Sequence, residues 1–73
     1  MNAAAASIRI VLNGEPREFA APLTVAGLLQ VSGFGQRRVA VEVNREIVPK
    51  SQHASHVLAH ADQVEIVHAL GGG

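Results

Sequence analysis

The residues with the most distinctive chemistry stand last in the chain, where Leu70 is followed by Gly71, Gly72 and Gly73. A run of glycine resists ordering because each residue loses more backbone freedom on folding than any other type. The same run forms a strip narrow enough to thread a channel and present an α-carboxylate to a partner's catalytic centre, where any Cβ would clash. Its place directly behind a strand-like segment favours the second use. A carboxylate is a poor electrophile, but adenylyl transfer from ATP converts it to a mixed anhydride that a sulfur or nitrogen nucleophile can attack. That step would fall to an activating partner. The chain has no glycine-rich loop opening a helix with a following Lys-Ser or Lys-Thr, so ATP is expected to be bound by the partner and no cofactor by this chain.

Other reactive side chains are less well arranged. His53, His56 and His60 are three and four residues apart, which on a continuous helix would place them near one face as metal ligands. The segment lacks a helical pattern, and neither carboxylate nor thiolate completes the set. The expectation is therefore no metal site, with these histidines exposed in a polar loop. His68 is expected to be a partly buried strand residue beside the exit of the tail. Ser, His and Asp all occur, but no signature aligns a nucleophile with a base. No catalytic residue of the chain's own is expected.

These groups must be carried by one small domain. At 73 residues a chain buries only ~60% of the surface its unfolded form exposes, which disfavours a large enclosed active site. Ile8, Ile10 and Leu12 alternate with Arg9, Val11 and Asn13, the period of a half-buried strand. Asn13-Gly14 tolerates the positive φ values of a type I′ turn, and 15–20 returns as a second strand that Pro16 confines to a sheet edge. Thr24 stands as an N-cap before a short helix in which Val25, Leu28 and Leu29 recur and which Gly33 ends. Gly27 weakens it by about 1 kcal/mol relative to alanine, so the helix must gain its stability by packing on a sheet.

Val39, Val41 and Val43 mark a third strand, turned at Asn44-Arg45 into a very short one over 46–48 that Pro49 closes. The region 50–62 is polar, and a final strand runs from Val64 to about Ala69, with Val64 and Ile66 on one face and Glu65, Val67 and Ala69 on the other. The class is α+β, a single mixed sheet of four to five strands with one main helix on one face. If the last strand inserts beside the first, the arrangement is the ubiquitin-like β-grasp. The expected divisions are a flexible leader over 1–6, the domain over 7–69 and a flexible tail over 70–73.

Composition narrows the partners. Six basic and six acidic side chains cancel, so no overall charge drives the chain toward nucleic acid or an anionic membrane. No apolar run approaches the ~20 residues of a membrane helix, and the first residues lack the marks of a signal peptide, which together suggest a cytoplasmic protein. With no Trp, Tyr or Cys and two Phe, the core must be aliphatic and hold by packing alone. Val11, Ala40, Val67 and Ala69 would share the sheet face away from the helix if their strands are neighbours. That gives an apolar docking patch rimmed by Arg9, Glu42 and Glu65.

Val39-Ala-Val-Glu-Val-Asn44, Glu46-Ile-Val-Pro49, Ser51-Gln-His53, Asp62 and Val64-Glu-Ile-Val-His68 ahead of Gly71-Gly72-Gly73 resemble the ThiS family, the sulfur carriers of thiamin thiazole biosynthesis. The resemblance covers nearly all of the chain from Ser7 onward and is most specific in its central and C-terminal segments. It implies a β-grasp fold and a C-terminal Gly73 that a ThiF-type adenylyltransferase activates and that is then converted to a thiocarboxylate. That sulfur, drawn from a donor such as a cysteine desulfurase, would pass to a ThiG-type thiazole synthase. Arg45 departs from the glycine frequent in the family after Asn44, and the residues ahead of Ser7 are extra. Lacking Cys, the chain has no side chain on which to hold a persulfide, which agrees with a terminal carrier. The rivals are a MoaD-type subunit of molybdopterin synthase and a ubiquitin-like modifier or interaction module.

Overall fold

The computed structural model describes residues 6–35 and 37–68. Strand β1 (Ser7–Leu12) buries Ile10 and Leu12, turns through Asn13 and Gly14 at φ 50° and 85°, and pairs antiparallel with β2 (Glu15–Ala20). Two successive positive φ values are the mark of the type I′ turn, whose twist matches that of the strands it joins. The ladder reaches one residue further back, because the Ala21 N–H donates to the carbonyl of Ala6. Ala6, counted with the leader from sequence, is thus tied to the sheet; residues 1–5 lie outside the described residues.

Helix α1 (Val25–Val31) follows from local chemistry at both ends. Thr24 is extended at φ −92° and ψ 167°, and its Oγ1 accepts from the Gly27 N–H at 3.0 Å, as expected of an N-cap. Gly33 is left-handed at φ +86°, and the N–H groups of Gly33 and Phe34 donate to the carbonyls of Gln30 and Leu29, which together form a Schellman ending. Gly27 also has a packing reason. A Cβ there would meet Leu23 Cδ1 and Thr24 Oγ1 at 3.3 Å each, so the N-terminal turn is closely fitted at this point.

After α1 the chain forms β3 (Val39–Val43), β4 (Glu46–Val48), a 3-10 turn (Lys50–Gln52) and β5 (Gln63–His68). The spatial order is β2-β1-β5-β3-β4, with β1 and β5 parallel and the other pairs antiparallel. Inserting the last strand beside the first makes the sheet mixed and leaves Pro16 on an edge strand, where its missing N–H interrupts no ladder. The core is aliphatic, as composition required. Ile10, Leu12, Val41, Val43, Val48, Val64 and Ile66 from the sheet meet Leu23, Val25, Leu28, Leu29 and Leu58 from the layer above.

Both Asn-headed turns are fastened to β5. The Asn13 side chain accepts from the Ile66 N–H at 2.8 Å, and Asn44 Oδ1 accepts from the Gln63 N–H at 3.0 Å. Asn44 Nδ2 donates to Asp62 Oδ1, and Asp62 Oδ2 accepts from the Ala59 N–H. Each asparagine therefore tolerates a positive φ and also locks the register of the central strand.

Of the three histidines expected to be exposed in 50–62, His60 is exposed, His56 is half-buried and His53 departs from the expectation. His53 is buried, with its Nε2–H donating to the Val48 carbonyl at 3.0 Å. The backbone carbonyls of His56 and His53 accept from the N–H groups of Val25 and Ala26. With Thr24 serving Gly27, the orphan donors of the first helical turn are satisfied by this segment and the cap.

Candidate functional site

β5 carries the chain through the middle of the sheet toward the glycines, and its final residue, His68, lies opposite Val39. The His68 and Phe34 rings meet edge to face at 5.4 Å and 60°. His68 is exposed instead of partly buried: it is the final residue of β5, and its ring meets that of Phe34. Ala69, Gly71, Gly72 and Gly73 lie outside the described residues. The structure thus shows the strand that leads to the expected reactive end.

The sheet face away from α1 carries the remaining expected residues. Across β3 and β5, Ala40 lies opposite Val67 and Glu42 opposite Glu65; across β1 and β5, Val11 lies beside Gln63. Val67 is 54% exposed, and Ala40 is exposed as well. Register revises the continuous apolar patch suggested by alternation. Val11 and Val67 are four positions apart along β5, or about 13 Å at 3.3 Å per residue. The Glu42–Glu65 pair lies between them and not at a rim.

Two carboxylates directly across a ladder are a destabilising arrangement. Arg45 helps to line the shallow depression that Val11, Glu42 and Glu65 also border, so its cation stands on the same side as the acidic pair. Arg9 faces Glu18 at 4.0 Å with both side chains well exposed, a weak interaction in water. Ile47, opposite Glu42 and 63% exposed, is a further apolar point that the sequence reading passed over. The alternation of Ile47 with buried Val48 was the signal for it.

The three loop histidines are not gathered into a ligand set. His53 is bonded to Val48, His60 Nδ1 accepts from the Arg9 N–H at 3.2 Å, and the backbone carbonyl of His56 is committed to the helix start. Among the described residues no three His, Asp or Glu side chains converge as metal ligands, and no helix is long and apolar enough to cross a membrane.

The model of the ThiS family matches residues 10–73, which includes all five strands in part or whole and runs through the three glycines. The chain belongs to the ThiS family. Its similarity to the sulfur carrier protein ThiS of Escherichia coli is 32% identity over 66 residues, 90% of this chain and 100% of that one. It is 48% identical over 66 residues to a thiazole synthase of Paramagnetospirillum magneticum, but spans only 20% of that protein. A crystal structure of the thiamine biosynthesis protein ThiS from Geobacter metallireducens superposes with a TM-score of 0.79 at 29% identity, covering 90% of this chain and all of that one. The β-grasp expected from the resemblance is therefore the ThiS fold, with β5 as its central strand.

Proposed function

We propose that the chain is a sulfur carrier of thiamin biosynthesis and performs no catalysis itself. The Gly73 carboxylate attacks the α-phosphorus of ATP in the site of a ThiF-type enzyme, pyrophosphate leaves, and an acyl adenylate forms. The terminal sulfur of a donor persulfide, such as one formed on a cysteine desulfurase, then attacks the acyl carbon and expels AMP. A thiol of the donor or partner protein cleaves the resulting acyl disulfide, itself entering a disulfide with the donor sulfur as the thiocarboxylate leaves. The resulting thiocarboxylate is a nucleophile that a ThiG-type thiazole synthase can use.

The observation that carries this reading is the match to the family model through Gly73. Three further points support it. The chain contains no Cys, so sulfur has no side chain to occupy. The central strand leads directly toward the glycines. The likeness to a protein named thiazole synthase favours a thiazole-forming acceptor over a molybdopterin-forming one. Gly71 and Gly72 supply reach without bulk, and Val11, Ala40, Glu42 and Val67 supply the docking face.

Intact mass tests the proposal. After incubation with ATP, Mg²⁺, a sulfur source and a ThiF-type enzyme, the chain should gain the difference between one sulfur and one oxygen, localised to the C-terminal peptide. An unchanged mass beside an active control carrier would remove it, and isopeptide adducts at Gly73 would replace it with the modifier reading.

A further inference from the structure

A second surface lies on the helical side. Between α1, the loop after it, the start of β3 and the 3-10 turn is a half-open groove of about 730 Å³. Leu29, Phe34 and Val39 give it apolar walls, and Arg37, Arg38 and Lys50 carry its charge. These are three of the chain's six basic side chains, gathered in a molecule of zero net charge. Among the described residues no acidic side chain lines the groove, and the ion pair Arg9–Glu18 lies on the opposite edge of the sheet. The three cations are exposed, without a carboxylate within 4.0 Å among the described residues.

The groove's place in the fold narrows its occupant. Val39, one of its walls, is the register partner of His68, and Phe34, another, packs on the His68 ring. Gly73 is five positions beyond His68 in sequence, at most about 18 Å of extended chain. An enzyme acting on Gly73 therefore has its surface within reach of this groove.

We propose that the groove receives a segment of the adenylating enzyme that combines acidic and apolar side chains. The apolar side chains seat against Leu29, Phe34 and Val39, and the carboxylates pair with the guanidinium forks of Arg37 and Arg38 and with Lys50. Such a contact speeds encounter and makes binding sensitive to salt. This rests on the sulfur-carrier reading and adds to it a second docking surface, on the opposite side of the sheet from Val67.

The test titrates the full chain and its variants into a ThiF-type enzyme by calorimetry at two salt concentrations, with Gly73 conversion followed by intact mass. The double variant R37E/R38E should bind at least about tenfold more weakly and lose most of the salt dependence, with an unchanged thermal midpoint. The charge-preserving R37K/R38K should stay within about threefold. Affinity for R37E/R38E within twofold of wild type would overturn the proposal while leaving the carrier reading intact, provided the wild type is converted. A wild type that is neither bound nor converted would overturn both. ATP binding to the isolated chain, lost in R37E/R38E, would assign the groove to a nucleotide and overturn the docking proposal.

Discussion

Arg45 is the residue at which local strain and surface charge meet. It holds φ 72° in the second position of a type I′ turn, where glycine is favoured and an L side chain costs roughly 1–2 kcal/mol. Arg45→Gly should relieve that cost, less the extra entropy glycine loses on folding, for a net gain of about 0.5–1 kcal/mol. Thermal denaturation would read this as a rise of roughly 4–8 °C per kcal/mol for a domain of this size. A fall in the midpoint would mean that the guanidinium contributes more beside Glu42 and Glu65 than the strain costs. Asn13 and Asn44 were legible as turn residues from their Asn-Gly and Asn-Arg dipeptides. Their side-chain bonds to β5 were not, because those bonds depend on which strand lies alongside.

Among the elements, α1 shows what a pattern can and cannot convey. Thr24, the Val25, Leu28, Leu29 spacing and Gly33 specify its start, buried face and end, and each agrees with the structure. Thr24→Ala should cost about 1 kcal/mol by orphaning the Gly27 N–H, whereas Thr24→Ser should retain most of the stability; chemical denaturation of both variants measures the difference. The other half of the cap was hidden. His53 and His56 serve Val25 and Ala26 through backbone carbonyls, which every residue type possesses, so no side-chain signature announces the contact. Alternation likewise assigned Glu42 and Glu65 to the right face of the sheet, yet their direct opposition follows from register, and strand pairing leaves no local mark. Arg37, Arg38 and Lys50 meet at one groove for a similar reason: the 3-10 turn and the loop after α1 approach each other only in the folded domain.

At the scale of the whole molecule, the two faces of the sheet differ in chemistry. The open face sets Val67 and Ala40 beside an acidic pair, while the helical side gathers cations around Phe34. Val67→Asp and Ala40→Asp alter exposed positions, so the fold should persist while partner affinity falls by about tenfold or more. Calorimetry against a ThiG-type thiazole synthase and a ThiF-type enzyme, the proposed partners, would check this, and unchanged affinity for both would remove the open face from the docking surface. The order of the strands has one more consequence, which concerns synthesis. The sheet's middle position is filled by β5, which is synthesised after the other four strands, so a nascent chain that stops before β5 leaves β1 and β3 without their common neighbour. Such a product has open edges on β1 and β3 and lacks Val64 and Ile66 of the core, and it should be cleaved faster than the full chain in limited proteolysis. The fold is thus completed only once translation has passed His68.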